Sequence, residues 1–404
     1  MTVAYDLTSP AHLRDPGVMT DRLRAKGPLV RVRFPIIGRV WLATTQEMAG
    51  HILKDNAGFG MRRAGGGIAG LQWWMPGIFR VLARNMLTMD EPDHTRLRAI
   101  VDEAFRRRAV MDMVPQVRAI ADRLAGSLFD DGAPADLVSR YARQLPLIVI
   151  CELLGLPDED RVQFAGWANR FTDVTSLPGF LRLVPALYAM RRYIERRLDD
   201  ARARGGADGL IGELVRVERE GAQISRDETV AMVFLLLAAG HETTTHLISG
   251  SVHELLRNQS LRDWLAEDWS RAPLAVEEFL RFVAPVQFSK PRFARRDVML
   301  GGVQLKAGDM VMAMLVAANR DPAERTSPHE LDLARRPNRH IAFGTGIHFC
   351  LGHQLARIEG ACALEALFTR WPKLALAVPE AEIQWRRQPG IRAIRALPVV
   401  SGVY

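Results

Sequence analysis

Phe343-Gly344-Thr345-Gly346-Ile347-His348-Phe349-Cys350-Leu351-Gly352-His353-Gln354-Leu355-Ala356-Arg357 decides how the chain is read. The stretch begins as a glycine-broken loop and ends as a helix, with a single cysteine where one becomes the other. Gly344, Gly346 and Gly352 let the backbone turn tightly and approach something flat. The leucine and alanine after the cysteine predict the first turns of a buried helix. A cysteine at a helix N-terminus has a lowered pKa, because the free N–H groups and the dipole favour the thiolate. A thiolate in an apolar, glycine-lined loop is a good soft ligand for iron.

The stretch resembles the haem-binding loop of the cytochrome P-450 family. The family pattern is Phe-Gly-x-Gly-x-His/Arg-x-Cys-x-Gly, followed in most soluble bacterial members by Leu-Ala-Arg, and every position matches. A cysteine taken alone is more often an inert core residue; the full pattern makes Cys350 the expected iron ligand. The resemblance also places haem contacts at Phe343, Gly344 and His348.

Composition sets wider bounds. A chain of 404 residues, 48% hydrophobic and 25% charged, has the balance of a water-soluble globular protein with a core large enough to enclose a cofactor. Residues 1–17 carry His12, Arg14 and Asp15 and no apolar signal core or membrane anchor. The longest apolar run, Val230 to Ala239, is too short to span a bilayer. The expectation is a cytoplasmic bacterial protein, with no membrane and as a monomer. Three cysteines give no disulfide framework; Cys151 and Cys362 read as core thiols. The net charge of +8 comes without the aromatic-interleaved basic stripe or zinc-finger spacing of a nucleic-acid binder. Arginines cluster at Arg106-Arg107-Arg108, Arg295-Arg296 and Arg335-Arg336 with Arg339. Most read as solvated charge; the functional reading is a docking patch for an acidic electron-transfer protein.

Along the chain, Val18 to Lys26 predicts a short helix, Leu29–Phe34 and Arg39–Ala43 two strands around a turn, and Thr45 to Lys54 another helix. Asn56 to Leu87 reads as irregular, and by its place it resembles the family's substrate-contacting loop. Trp73 and Trp74 within it face a pocket or pack the loop down. Asp90 caps a helix with Pro92 in its first turn, and His94 and Arg98, four apart, share one face. His-x-x-x-Arg after Asp-x-Pro resembles the family helix that binds a haem propionate. Helices follow over Ala109–Asp130, Ala135–Gly155, Asp158–Thr175 and Pro178–Arg204. In the family, the region matching Phe171 to Tyr188 is a lid over the substrate channel; the residues alone predict core packing.

Ser225-Arg226-Asp227-Glu228 makes a capping box that opens a helix running to about Arg257. Inside it, Ala238-Ala239-Gly240-His241-Glu242-Thr243-Thr244 breaks local helix rules, which points to a functional site. A zinc-protease reading of His241, Glu242 and His246 fails, because two histidines five apart lie roughly 140° apart around a helix. The segment instead resembles the family's oxygen-activation motif. The resemblance implies that Gly240 leaves room for dioxygen, that Thr243 donates a hydrogen bond to the activated oxygen, that Glu242 passes protons from solvent, and that Ala239 lies against the haem.

Glu278-Phe279-Leu280-Arg281 alone would be a weak surface pair. By position it resembles the family's Glu-x-x-Arg element, buried and joined by Arg335. Arg325 and Leu331 depart from the family, which often has Phe at those sites, and this leaves the local packing open. Residues 281–333 alternate like short strands; Arg292 leads the first and resembles a third propionate ligand. Asn319-Arg320-Asp321-Pro322 is a further family-like signature. Residues 373–404 read as strands and loops.

The resemblance therefore implies a mainly α, cytochrome P-450 fold with a smaller β region and one haem domain over 1–404, with no fused reductase. Haem b would lie between the long central helix and the cysteine-loop helix. The implied reaction inserts one atom of dioxygen into a small apolar substrate, with electrons from a separate acidic ferredoxin or flavodoxin and its NAD(P)H reductase. Candidate pocket residues are Trp73, Trp74, Ile78, Leu235, Ala239, Val283 and Val286. Two other readings stay open: a peroxide-driven haem-thiolate enzyme, which usually lacks an acid–Thr pair like Glu242-Thr243, and a haem-thiolate sensor that never turns over.

Overall fold

The structure, a computed structural model, describes all residues except 1–4, 35–36, 72–74, 103–104, 106, 161–162, 165, 168–176, 206–208, 222–223 and 403–404, and except the side chains of 107–108 and 177–181. The chain is helix-rich with a smaller strand region. It divides into two compact units. One takes Met1–Gly70, Pro115–Leu145 and Thr243–Tyr404; the other takes Leu71–Val114 and Pro146–Glu242.

The first unit holds every strand among the described residues. β1 (Leu29–Phe34) and β2 (Gly38–Ala43) form the predicted hairpin, with Leu29 opposite Ala43 and Phe34 opposite Gly38. With β3 (Phe59–Gly60), β5 (Arg292–Ala294) and β8 (Met310–Ala313) they make a five-stranded sheet in the order β1-β2-β8-β5-β3. β8 is buried at every residue, and its period of two sends Met310 and Met312 into one apolar cluster and Val311 and Ala313 into another. That double burial erases the polar–apolar alternation that marks a half-exposed strand. β6 (Val298–Leu300) and β7 (Val303–Leu305) pair as a hairpin. A three-stranded sheet joins β4 (Ala135–Asp136) to β10 (Pro398–Val400) and β9 (Ala375–Leu376).

Several expected elements change. The helix expected from Ala135 starts later: Ala135–Asp136 is a strand, and the Asp136 carboxylate accepts from Val138 N, Ser139 N and Leu397 N. A π-helical turn, Val138–Ala142, and a helix, Gln144–Leu154, follow. The helix expected over Ala109–Asp130 is two, Arg107–Asp112 and Val114–Gly126; Pro115 lies in the first turn of the second, where its missing N–H costs no bond. Pro92 precedes its helix, Asp93–Asp102, rather than lying in the first turn. Residues 56–87 are not wholly irregular, because they contain β3 and the helix Gly77–Leu82. Leu315–Ala318 is a short helix buried on all sides, where alternation suggests strand. Of Asp158–Thr175, a 3-10 turn at Asp158–Asp160 is described and most of the rest lies outside the described residues. The last helix of that run is Leu177–Arg204.

In the second unit, Ile78 and Leu82 pack against Leu183 and Leu187, with Phe79 and Phe234 at the edge. Arg96 joins Glu228 at 2.7 Å and Arg191 joins Asp227 at 3.0 Å. The long helix runs Arg226–Arg257, opened by the expected capping box: Ser225 N donates to Glu228 Oε2 at 2.8 Å. By length and composition it could cross a membrane, but about two thirds of its most apolar window is buried, as in a core helix.

Glu278 and Arg281, on the helix Ala272–Val283, are both fully buried and bidentate, with both contacts at 2.7 Å. The Glu278 carboxylate also accepts from Arg335 Nε at 3.2 Å, Asn338 Nδ2 at 3.0 Å and Asp332 N at 2.9 Å. Arg281 spends its remaining donors on the Asn319, Pro328 and Glu330 carbonyls. Arg325, at a site where the resembled family often has Phe, donates to the Ala318 and Arg339 carbonyls and to Gln46 Oε1, so hydrogen bonds take the place of apolar packing. Glu278→Ala leaves Arg281 buried without its partner and is expected to destabilise the protein by about 3–5 kcal/mol, read as a lowered denaturation midpoint. A loss below about 1 kcal/mol, the range of exposed pairs, contradicts this assignment.

Candidate active site

The cysteine loop is held from within. Gly344 and Gly346 adopt φ of +69° and +78°, the left-handed region that favours glycine. A Cβ on Gly346 would sit 2.2 Å from Leu53 O, so no other residue fits. Gly352 has φ −81° and needs no such freedom. Cys350 N donates to Phe343 O at 3.0 Å, Phe349 N to Gly346 O at 3.0 Å and Gly344 N to Ile341 O at 2.9 Å. The helix His353–Arg370 begins three residues beyond the thiol. Cys350 is half-buried, as are Phe343, Gly344 and His348. Cys151 and Cys362 are core thiols as expected, and burial pushes Cys362 up to about 11.

Glu277 clamps this loop at both ends, a role no sequence pattern assigned. Arg357, after the cysteine, donates to it through Nε and through Nη2 at 2.9 Å. His340, before the loop, meets the same carboxylate at 3.0 Å. Arg357 also stacks over the Phe343 ring at 4.7 Å, and Phe349 meets His353 edge-on at 4.8 Å. Burial alone would raise the Glu277 pKa, but the bonds from Arg357 and His340 win and hold it at about 2. The only trace in sequence is an acid beside the Glu-x-x-Arg element and the arginine that closes the loop pattern.

Arg292 is buried in β5 and donates to Ile52 O and to Asn56 Oδ1 at 3.2 Å. Because Gly346 abuts Leu53, the end of the helix Gln46–Lys54 is common to Arg292 and the cysteine loop. In the other unit, His94 and Arg98 share the helix Asp93–Asp102; His94 is buried with Glu91 at 3.8 Å, and Arg98 has Asp102 at 3.5 Å.

The long helix carries an accessible stripe, beside which Phe234, Ala238 and Gly240 are also half-buried. Leu235, Ala239, Glu242 and Thr243, spaced i, i+4, i+7 and i+8, are half-buried or exposed, while Leu236, Leu237, His241, Thr244 and Thr245 are buried. Gly240 has a packing reason besides the expected one, since a Cβ there would meet Ile150 at 3.2 Å. His241 is buried with Nδ1 2.6 Å from Leu237 O. No cluster of three metal-ligating side chains occurs among the described residues.

Glu359 is the second site residue that the sequence did not reveal. It lies in the cysteine helix, is fully buried and is hydrogen-bonded to Thr244, the neighbour of Thr243. Burial pushes its pKa up to about 8, against the opposing pull of the Thr244 hydroxyl. Its one signal is being an acid amid apolar residues of a helix.

Of the pocket candidates, Ile78 lies in the closed apolar cluster with Leu183 and Leu187, and Val283 packs against Gly250 of the long helix. Val286 is half-buried against the sheet. Trp73 and Trp74 lie outside the described residues, as do Phe171 to Ser176, Arg106 and the side chains of Arg107 and Arg108. The donor set suits a haem iron: a soft sulfur on a loop too tight for any side chain at Gly346, and Arg292 anchored beside the same helix end.

Comparisons with known proteins agree. A family model described as Cytochrome P450 matches residues 272–372. A vitamin D(3) 25-hydroxylase of Pseudonocardia autotrophica is 43% identical over 318 residues, 78% of each chain. The cytochrome P450 monooxygenase PikC of Streptomyces venezuelae is 37% identical over 388 residues, covering 95% of this chain and 91% of the relative. A crystal structure of a myxobacterial cytochrome P450 in complex with myristic acid superposes with a TM-score of 0.89 at 36% identity, covering 98% of this chain and 99% of the other.

The buried acid gives a pH dependence with a fixed sign. Between the ordinary value of 4.5 and about 8 the folded protein keeps a proton on Glu359 that the unfolded chain releases. Stability therefore falls as pH rises through that interval and levels off above it. Glu359→Gln is expected to gain on the wild type across the same interval in melting scans; parallel pH profiles for the two proteins contradict it.

Proposed function

This chain belongs to the cytochrome P450 family and is a monooxygenase, and on that premise we propose a single haem domain in which Cys350 holds the iron of haem b. The observation that carries the reading is the cysteine loop, with a half-buried thiol on a turn that two left-handed glycines allow. Bound haem would supply oxygen activation, and a thiolate ligand pushes electron density toward O–O cleavage. The chain's own residues do the rest. Arg292, His348, His94 and Arg98 would hold the propionates through charge-assisted hydrogen bonds. Glu242 and Thr243, on the accessible stripe, would pass and donate protons. Thr244 and Glu359 lie next in the chain and in the hydrogen-bond network, with a carboxyl that stays protonated at neutral pH.

The substrate would be a large apolar molecule such as a steroid, terpene, fatty acid or macrolide, oxidised by hydroxylation or epoxidation. One relative is named as a vitamin D(3) 25-hydroxylase and one structure holds myristic acid, and Ala239 and Leu235 present apolar surface on the stripe. Family members of bacterial origin take electrons from separate redox partners. Here an acidic ferredoxin or flavodoxin with its NAD(P)H reductase fits the net charge of +8. The protein would work as a monomer in the bacterial cytoplasm.

Cys350→Ala is expected to abolish the red-shifted Soret band of the ferrous carbon monoxide complex, while an unchanged spectrum overturns the ligand assignment. Thr243→Ala is expected to retain haem and to send a larger share of NAD(P)H electrons to hydrogen peroxide. Fully coupled turnover in that variant removes Thr243 from proton delivery.

A further inference from the structure

One buried polar cluster serves none of the roles above. His12, Gln287, Arg320 and Arg392 come from four distant places in the chain, and each is at most 3% exposed. They lie side by side. His12 Nε2 is 3.1 Å from Gln287 Oε1, and the fields of Arg392 and Arg320 both reach His12. Arg320 donates to Phe282 O at 2.8 Å and Arg392 to Val283 O at 2.9 Å, carbonyls of adjacent residues. Arg392 also donates to Leu13 O and Arg14 O, the carbonyls of the two residues that follow His12.

The charges do not balance. Neither guanidinium has a carboxylate partner among the described residues; Asp15 and Glu254 act only through space, and Glu254 is already paired with Arg257 at 3.2 Å. Arg392 satisfies its three nitrogens on carbonyls. Arg320 does not, because its Nη1 has no protein partner, and neither has Gln287 Nε2; His12, whose Nε2–H is given to Gln287 Oε1, keeps its unpartnered Nδ1 as an acceptor. Two like charges in a core, with unused donors beside them, are among the costliest arrangements a fold can hold. Water would satisfy the donors but leave the charge. The Phe282 and Trp385 rings, 4.9 Å and 4.6 Å from the Arg320 and Arg392 guanidiniums, ease the charge without neutralising it. An anion meets donors and charge together, and donors this few suit a small round one.

We propose that Arg320 Nη1 and Gln287 Nε2, beside His12, hold a monovalent halide, chloride in the cell, as the buried counter-ion of the Arg320–Arg392 pair. The site ties the N-terminal helix Pro10–Arg14 to the segment after Val283 and to the C-terminal region, so occupancy supports the fold.

The test uses the haem-loaded protein. Melting is followed in sodium chloride, sodium bromide and sodium gluconate at matched ionic strength, and crystals grown in bromide are examined for anomalous scattering. Halide is expected to raise Tm saturably, by roughly 1–2 °C or more over gluconate, with a bromide peak within hydrogen-bond distance of Arg320 Nη1 and Gln287 Nε2. Gln287→Leu, or His12→Phe should that variant not fold, is expected to lose the halide-specific part of the shift. Equal melting in gluconate, only water at the donors, or a bromide peak without a saturable shift in solution each overturns the proposal.

Discussion

Two neighbouring carboxylates on one short helix anchor the cysteine loop. Glu278 and Glu277 follow each other on Ala272–Val283, so their side chains leave the helix about 100° apart. Glu278 turns inward and gathers Arg281, Arg335, Asn338 and the backbone N of Asp332, fixing the segment that leads into the loop. Glu277 turns toward His340 and Arg357, which bracket the loop itself. A buried charge is tolerated only when its hydrogen-bonding capacity is filled. Filling that capacity with groups from residues 332 to 357 dictates where the backbone must run, and the thiol's position follows.

The helices around the loop come close because glycines sit where they cross. A Cβ on Gly250 of the long helix would stand 2.4 Å from Val283 Cγ1, and one on Gly360 of the cysteine helix 3.3 Å from Val276 Cγ2. Either glycine lowers helix propensity by about 1 kcal/mol, a penalty that close packing offsets through dispersion and apolar burial. The second half of the long helix also carries Thr244, Thr245, His246, Ser249, Ser251 and His253 in the core. Ser251 folds its hydroxyl back to Leu247 O at 2.7 Å, a bond made within the helix that asks nothing of its neighbours.

Local chemistry was legible and distant pairing was not. The capping box at Ser225 and Glu228 and the turns at Gly344 and Gly346 depend on residues a few positions apart, and the sequence reading of each holds. Ala135–Asp136 depends on Val399 and Pro398, more than two hundred residues away, and nothing nearby in the chain marks it as a strand. Leu315–Ala318 is buried on all sides, so its hydrophobicity has no period to separate helix from strand. Arg320 was visible as part of a family-like motif, but its electrostatic problem arises only when the fold brings Arg392 beside it.

Glu277 and Glu359 show why residue type alone cannot assign roles here. Both are glutamates taken out of water in the same unit, and burial pushes both pKa values up. Glu277 meets a guanidinium and an imidazole, which reverse the shift and hold it at about 2. Glu359 meets a single neutral hydroxyl, too weak to reverse it, and rests near 8. One carboxyl is therefore a fixed negative anchor at every physiological pH, while the other keeps a proton that it can release near neutrality. The anchor holds the cysteine loop still; the proton-bearing acid adjoins the threonine pair of the long helix. Environments that drive like groups apart in this way are how a site separates structural charge from exchangeable protons.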